Sequence, residues 1–296
     1  MLFERIESEG LAHYSYIVGS GGQAVVIDPR RDCSIYVEKA LRSGHRITHI
    51  LETHRNEDYL IGSVALASRT GATIWHADAQ WDYQYGQPVE DGQTWDVGPF
   101  QLQAIHSPGH TPGMMSYLLR DRNDAPWIIF TGDSLFAGDV GRMDLPGEER
   151  MEEMAGQMYE TLFEKLLPLG DEVIVCPAHG PGSVCGSAIA DRAWTTIGLE
   201  RKHNPKLQFD SKEAFIDNVA EILDRPPYFR EMEVGNLEGA PLPDGLPAPQ
   251  ALSPEDFIVQ AEGAVILDTR MELGFGAAHV PTAISIWKGG VASFAG

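Results

Sequence analysis

The sequence predicts an α/β protein in which two packed β-sheets are flanked by helices. Short β-rich runs separated by glycine-containing turns dominate the first half of the chain, for example HYSYIVGS, QAVVIDP, ITHILETH and FQLQAIHS. Runs with helical spacing, SIYVEKALRS and LIGSVALASRT, lie between them. Because strands alternate with helices but also follow one another directly, we expect mixed sheets rather than one purely parallel sheet.

The second half of the chain continues this pattern and then becomes helical. GMMSYLLR, PWIIFTGD and EVIVCPAHG are typical of strands, and a helix is expected from about Glu148 to Leu167. Helical spacing also covers about Trp194 to Tyr228, with capping residues at Asp210 and Ser211 and a break at RPP.

A change of composition predicts a domain boundary near the C-terminal end. The stretch NLEGAPLPDGLPAPQ is rich in proline and glycine and has no periodicity, which is typical of a linker. We therefore expect a first domain over residues 1–235, a linker over 236–251 and a partial second domain over 252–296.

Composition limits the kinds of partner. The 296 residues carry a formal net charge of −21, which argues against nucleic acid and anionic membranes as partners. The first ten residues, MLFERIESEG, do not resemble a signal peptide, and the three cysteines are too few and too scattered for a disulfide framework. We expect a cytoplasmic protein that acts on small molecules, and a homo-oligomer is left open.

The segment ETHRNEDYLIGS raises the main functional question. After the apolar run ITHIL it places His54 and, four residues later, Asp58, which outlines a His-x-His-x-Asp-His metal motif. However, Asn56 and Tyr59 stand where that motif has its other histidines. The segment is therefore either a degraded binuclear site or a complete site of another kind.

Four further segments carry residues typical of metal sites. These segments are HSPGHTPG, FTGDSLF, GRMDL and PAHGPGS. Most of these histidines and aspartates directly follow a strand-like run, so their loops can converge at one sheet edge. One histidine means little, but this series of segments in this order favours a metal site over packing residues.

These segments resemble the metallo-β-lactamase superfamily over about residues 1–190, and in particular its glyoxalase II and persulfide dioxygenase branch. The resemblance implies an αβ/βα sandwich with a metal site at one edge. The segment TIGLERKHNP and the linker resemble bacterial proteins that fuse this domain to rhodanese domains.

Carried over position by position, the resemblance gives two sets of ligand positions. His54, Asn56 and His110 occupy the first-metal positions, Asp133 the bridging position, and Asp58, Tyr59 and His179 the second-metal positions. A binuclear hydrolase needs both metals to form and share a nucleophilic hydroxide. The residues at positions 56 and 59 leave a glyoxalase-type hydrolase poorly supported.

The retained residues His54, His110 and Asp133 are two imidazoles and a carboxylate. This is the ligand set of a mononuclear non-heme Fe(II) oxygenase, and the resemblance implies that persulfide dioxygenases use these three positions. A metal-free scaffold is the alternative, but random drift has no reason to spare all three residues together with Asp58 and His179.

The roles of the neighbouring residues follow from this ligand set. We expect Asp58 and His179 to orient ligands or bound water through hydrogen bonds, and Asn56 to lie near the metal without binding it. Tyr59 either donates a hydrogen bond to oxygen or substrate, as a catalytic residue, or fills the space of the missing histidine. Arg142 in GRMDL resembles an arginine that contacts the carboxylate of the thiol carrier, and the alternative is a structural salt bridge with Asp144 or Asp139.

Residues from about Leu252 resemble the first half of a rhodanese domain. VILDTR ends in Asp268 and Arg270 and is followed by GFGAAHVPTAISI, but no cysteine follows Cys185 to carry sulfane sulfur. We expect this segment to dock on another part of the protein or on a second chain, or to belong to a longer protein.

The leading hypothesis is an Fe(II)-dependent persulfide dioxygenase with one iron per chain, which converts a low-molecular-weight thiol persulfide and O2 to sulfite and thiol. Glutathione, coenzyme A or another thiol is compatible with the sequence as the carrier. The alternatives are a zinc-dependent thioester hydrolase of the glyoxalase II type, or a relative acting on lactones, and a metal-free scaffold.

Overall fold

The computed structural model describes residues 1–8, 10–240 and 250–291, and these fall into two compact units. The first unit contains residues 1–8 and 12–240, and the second is formed mainly by residues 250–291. None of the helices formed by the described residues is long and apolar enough to cross a membrane.

The first sheet of the first unit is built from the N-terminal third of the chain. Its strands are β1 (Leu2–Ser8), β2 (His13–Ser20), β3 (Gln23–Ile27), β4 (Arg46–Leu51), β5 (Thr73–His76) and β6 (Gln87–Pro88), in that spatial order. β1, β2 and β3 pair antiparallel, whereas β3 to β6 pair in parallel. The parallel connections require crossovers, and α1 (Ser34–Arg42) and α2 (Ser63–Thr70) provide two of them.

The second sheet follows in the chain and is also six-stranded. Its strands are β7 (Thr94–Val97), β8 (Phe100–His106), β9 (Met115–Arg120), β10 (Pro126–Gly132), β11 (Ile174–Pro177) and β12 (Thr195–Thr196). Each strand lies beside the next one in the chain, so the spatial order follows the sequence. Only β10 and β11 pair in parallel within this sheet. The expected pair of mixed sheets is confirmed.

The two sheets pack face to face. Tyr16 and Val18 of β2 lie in one buried cluster with Tyr117 and Leu119 of β9, because alternate side chains of each strand point to the same face. A second cluster lies between the first sheet and helices α1 and α2, and a third covers the outer face of the second sheet. The result is the αβ/βα sandwich that the family resemblance implied.

The helices on the second sheet begin with α3 (Met151–Glu160), which continues as a π-helical segment over Thr161–Leu166. The helix expected from Glu148 to Leu167 is therefore confirmed. The α-helices that follow in this unit are α4 (Ile197–His203), α5 (Lys212–Val219) and α6 (Phe229–Glu238).

The helical prediction for Trp194 to Tyr228 is correct only in part. Thr195–Thr196 forms strand β12, which pairs with β11, and residues 220–226 are not helical. The adjacent prolines of RPP lack the N–H donors that a helix needs, so the chain stays irregular until α6. The predicted cap is present, since the Ser211 hydroxyl accepts a hydrogen bond from the Ala214 N–H.

The second unit contains short elements only. They are α7 (Pro254–Gln260), β13 (Leu267–Asp268), α8 (Glu272–Ala277) and β14 (Ile284–Ser285), and β13 pairs with β14 in parallel. Apolar side chains of this unit, such as Val265 and Leu273, are more than four-fifths exposed. Helix α6 extends past the start of the linker expected over 236–251, and residues 241–249 of that linker lie outside the described residues.

Truncation separates the contributions of the two units. We expect a chain ending at residue 247 to keep the melting temperature of the first unit, because the clusters between and outside its sheets are internal to it. A chain ending at residue 226 loses α6 with the buried Phe229 and Asn236, and should melt at least about 5 °C lower. Thermal denaturation followed by circular dichroism measures both. Equal melting of the two truncated chains would contradict the assignment of α6 to the first unit.

Candidate metal centre

Four loops meet at one edge of the sandwich. They follow β4, β8, β10 and β11, and they carry His54, His110, Asp133 and His179. β8, β10 and β11 run in the same direction, so their carboxyl ends share one edge of the second sheet. The sequence-based expectation that these segments converge agrees with this arrangement.

His54, His110 and Asp133 face one another at the centre of these loops. The Nε2 atom of His110 lies 3.4 Å from Asp133 Oδ2, and the Nε2 atom of His54 lies 3.9 Å from the same oxygen. All three side chains are fully buried. Neither Nε2 atom has a hydrogen-bond partner among the described residues, so both are free to bind a ligand.

A hydrogen-bonded chain fixes the ring of His54. The Thr53 hydroxyl donates to Asp28 Oδ2 over 2.7 Å, and the Thr53 N–H donates to Asp28 Oδ1 over 2.8 Å. The same hydroxyl lies 2.8 Å from His54 Nδ1 and therefore accepts a hydrogen bond from it. This assignment puts the proton on Nδ1 and leaves the lone pair of Nε2 directed into the site. Burial raises the pKa of Asp28 to about 6.

The ring of His110 is oriented by the backbone. Its Nδ1 atom donates to the Arg142 carbonyl oxygen over 2.8 Å, which again directs Nε2 into the site. Burial lowers the pKa of His110, but the nearby carboxylates of Glu57 and Asp133 raise it by more, to about 9. These two carboxylates therefore favour a positive charge at or beside the Nε2 atom of His110.

His179 links the two aspartates of the site. Its Nδ1 atom lies 2.8 Å from Asp133 Oδ1, and its Nε2 atom lies 3.0 Å from Asp58 Oδ2. Burial lowers the pKa of His179, but Asp133 and Asp58 raise it well above its ordinary value. The pKa of Asp133 is lowered, since the neighbouring histidines outweigh the effect of its burial. Both nitrogens of His179 are thus engaged by carboxylates.

Asn56 and Tyr59 lie beside the site. The Asn56 amide donates to the His54 carbonyl oxygen over 3.3 Å. The ring of Tyr59 packs against His13 with centroids 4.1 Å apart, and its hydroxyl has no partner among the described residues. Burial raises the pKa of Tyr59 well above its ordinary value, so the phenol keeps its proton.

Three residues at the site were not identified from the sequence. Glu57 is fully buried and its carboxylate faces His110. Cys185 is fully buried and can place its sulfur within 4.8 Å of ligand atoms of His110 and Asp133. His13 begins strand β2, and its ring packs against that of Tyr59. For these three residues, the one signal in the sequence is that Glu57 is an acidic residue between Asn56 and Asp58.

Burial and the surrounding carboxylates keep the thiol of Cys185 neutral. Burial raises its pKa well above the ordinary value, and the negative charges of Asp58, Asp133 and Glu57 raise it further. Cys185 therefore contributes a neutral thiol to the wall of the site.

Arg142 lies beside the site, and its side chain is bound by other groups of the protein. Its guanidinium forms a bidentate ion pair with Asp144 at 2.7 Å for both bonds. The other N–H groups donate to the carbonyl oxygens of Val184, Leu223 and Asp224. These contacts match the five donors of an arginine, which favours the structural salt bridge over contact with a substrate.

Asp78 joins two of the four loops. Its carboxylate accepts hydrogen bonds from the Arg55 N–H, the Thr111 hydroxyl and the Gly113 N–H, each at 2.8 Å. The loop with His54 and the loop with His110 therefore share one acceptor. The sequence contains no pattern that singles out Asp78 for this role.

Asn236 of α6 holds the loop with His54 from the other side. Its Oδ1 atom accepts from the Ile61 N–H over 2.9 Å, and its Nδ2 atom donates to the carbonyl oxygens of Asn56 and Tyr59 over 2.7 and 2.8 Å. Asn236 is 1% exposed. A helix that is distant in the sequence thus positions the segment that the sequence marked as functional.

The residues of the centre fit a divalent metal ion. Glu57, Asp58 and Asp133 place three carboxylates in a buried space, and burying such charge is costly unless cations balance it. The unpartnered Nε2 atoms of His54 and His110 supply the donors that iron and zinc accept from proteins.

The known proteins to which this chain is similar include a hydrolase and a dioxygenase. The family model of the metallo-beta-lactamase superfamily matches residues 9–179. Hydroxyacylglutathione hydrolase GloC of Haemophilus influenzae is 26% identical over 64% of this chain and 89% of its own length. The mitochondrial persulfide dioxygenase ETHE1 of Bos taurus is 29% identical over 68% of this chain and 73% of its own length.

A solved structure covers nearly the whole chain. The crystal structure of a metallo-beta-lactamase from Staphylococcus aureus superposes with a TM-score of 0.89 at 28% identity, over 99% of this chain and 87% of that chain. Together these comparisons relate the chain both to a hydroxyacylglutathione hydrolase and to a persulfide dioxygenase.

Replacing Asn236 tests whether its hydrogen bonds position the loop that carries His54. We expect Asn236→Ala to destabilise the protein by about 1–3 kcal/mol, because it leaves the buried Ile61 N–H and two carbonyl groups without partners. Metal content should fall as well. The control is Asn218→Ala, an exposed asparagine on α5. Denaturant unfolding and elemental analysis measure both effects, and unchanged metal content in Asn236→Ala would contradict the positioning role.

Replacing Arg142 by lysine distinguishes its two interpretations. We expect Arg142→Lys to lower stability by about 1–3 kcal/mol, because the ammonium group cannot reproduce the bidentate pair with Asp144 or the carbonyl contacts. The control is Arg150→Lys, whose pair with Glu153 is 40% and 51% exposed and should change stability by less than about 0.5 kcal/mol. A raised KM at unchanged melting temperature would instead support a contact with the thiol carrier.

Proposed function

We propose that this chain, which belongs to the metallo-beta-lactamase superfamily, is a mononuclear non-heme iron persulfide dioxygenase. The observation that carries the proposal is the convergence of His54, His110 and Asp133 with two unpartnered Nε2 atoms. Two imidazoles and one carboxylate are typical of Fe(II) sites that leave positions open for substrate and oxygen. The relationship to persulfide dioxygenase ETHE1 supports the same reaction.

The proposed reaction oxidises the terminal sulfur of a low-molecular-weight persulfide. Fe(II), when bound, supplies the site at which persulfide and O2 react. The overall balance is RSSH + O2 + H2O → RSH + H2SO3, so the terminal sulfur is oxidised, O2 is reduced, and the carrier thiol is released. Glutathione and coenzyme A are both suitable carriers by this chemistry.

The residues of the chain orient the candidate metal ligands and exclude water from the site. Asp28 acts through Thr53 to hold the proton of His54 on Nδ1, and the Arg142 carbonyl does the same for His110. Full burial of these rings keeps bulk water from the reacting groups. The unpartnered hydroxyl of Tyr59 is available to donate a hydrogen bond at the site.

A thioester hydrolase of the glyoxalase II type is the second candidate. Asp58 and His179 are retained, and the relationship to GloC favours hydrolysis of a glutathione thioester. A second metal would have to displace the contacts of His179 with both aspartates, while Asn56 and Tyr59 offer weaker donors than histidine. These two features favour the mononuclear reaction.

The proposal extends to the compartment and the partners. The three cysteines, Cys33, Cys176 and Cys185, are all buried and unpaired, which is typical of a reducing compartment such as the cytoplasm. The net charge of −21 supports small molecules rather than nucleic acid as partners.

Metal analysis and oxygen uptake test the proposal together. Protein purified without oxygen should contain about one iron per chain, consume O2 with glutathione persulfide or coenzyme A persulfide, and produce sulfite. His110→Ala should lose iron and at least about 100-fold in oxygen uptake, because one of the two imidazole donors is removed. The control is His203→Ala, an exposed histidine at the end of α4.

The same preparation distinguishes the alternatives. Two zinc ions per chain with rapid hydrolysis of S-lactoylglutathione and no oxygen uptake would replace the dioxygenase by the hydrolase. A protein that binds no metal and turns over neither substrate would point to a scaffold.

A further inference from the structure

The carboxylate of Glu57 lies in the metal centre and none of its contacts explains its burial. The side chain has no exposed surface. Its Oε1 atom is 3.3 Å from His110 Nε2, and its Oε2 atom is 4.0 Å from His54 Nε2. Neither oxygen makes a hydrogen bond of acceptable geometry to any described residue. An ionised carboxylate in this position needs a cation close by.

The neighbours of Glu57 in the chain are engaged elsewhere. Arg55 forms an ion pair with Glu233 at 3.0 Å, and Asp58 pairs with His179. Among the described residues, the charged or chargeable partners within ion-pair distance of Glu57 are His54 and His110. These are the two rings whose free nitrogens point into the centre, so Glu57 shares its environment with the metal donors.

The distances allow Glu57 to share one ion with these rings. Donor atoms on one ion with bonds of about 2.1 Å are separated by no more than about 4.2 Å. The distances from Glu57 to His54 and His110 are within this limit, and so are those from Asp133 to the same two nitrogens. Ligand atoms of His54, Glu57 and His110 all lie within 4.8 Å of one another.

We propose that Glu57 is a metal ligand that shares its ion with His54 and His110 and compensates for the missing histidine at position 56. The inference rests on the proposed function only in that the centre binds a metal. A second carboxylate adds a hard, negatively charged oxygen donor, which favours iron or manganese over metals that prefer sulfur. Such a centre still leaves positions open for a persulfide and O2.

A glutamine in place of Glu57 tests the ligand directly. Glu57→Gln preserves the shape but removes the charge, so Fe(II) affinity should fall at least about tenfold in anaerobic competition with a chelator. The visible absorption spectrum of the Co(II)-substituted protein should also change, because the donor set of the ion changes. Glu57→Asp keeps the charge on a side chain shorter by one methylene group and should bind Fe(II) more tightly than Glu57→Gln.

Two further variants serve as comparisons. Glu213→Gln removes an exposed carboxylate on α5 and should leave Fe(II) affinity within about twofold of the unchanged protein. Cys185→Ser changes the other unassigned side chain of the centre and should leave the Co(II) spectrum unchanged. Far-ultraviolet circular dichroism of each variant verifies that it is folded.

The outcomes separate this inference from the proposed function. Fe(II) affinity within twofold and an unchanged Co(II) spectrum in Glu57→Gln would overturn the ligand assignment, as would loss of Fe(II) in Cys185→Ser but not in Glu57→Gln. If Glu57→Gln is unfolded, the Co(II) spectrum of Glu57→Asp decides: it should change, because the shorter side chain moves the carboxylate relative to the ion, and an unchanged spectrum would overturn the assignment. A protein that binds Fe(II) through Glu57 but makes no sulfite would refute the dioxygenase and support the ligand.

Discussion

The structure of the functional edge depends on negative charge buried at one point. Glu57, Asp58 and Asp133 have almost no exposed surface, so each needs a positive partner in a medium that screens charge weakly. His179 satisfies two of them by lying between Asp58 and Asp133. The carboxylate of Glu57 and Oδ2 of Asp133 face the Nε2 atoms of His54 and His110, which have no hydrogen-bond partners among the described residues, so these groups form a candidate site for a cation. The same charges explain why a metal ion fits here and why the thiol nearby stays neutral.

This charge is held in place by groups outside the metal motif. The loops that carry the candidate ligands are irregular, so their backbone groups need hydrogen-bond partners that a strand or helix would otherwise supply. Asp28 and Asp78 accept from the loops on one side, and Asn236 binds three backbone groups on the other. Arg142 joins Asp144 to the irregular segment before α6 in the same way. The position of the candidate metal donors is therefore a property of the whole first unit, including its last helix.

Much of the architecture could be predicted from the sequence because it follows from periodicity. The alternation in HYSYIVGS and FQLQAIHS identified β2 and β8, and the strand-then-histidine pattern identified the loops that meet. The boundaries between Trp194 and Tyr228 were less predictable, since β12 has two residues and exists only because β11 offers a free edge. Tertiary pairing of this kind leaves no periodic signal. The same holds for Asn236, whose role depends on where α6 packs.

Glu57 shows a limit of reading a site by motif positions alone. A motif assigns donors to fixed places, so it marks Asn56 as a lost ligand and gives no role to Glu57, the residue after it. In an irregular loop, however, successive side chains do not follow the alternation of a strand, and Glu57 lies buried against His54 and His110. A substitution at one motif position can therefore be compensated by its neighbour. Whether a degenerate motif still binds a metal depends on which donor atoms surround the site rather than on which positions carry histidine.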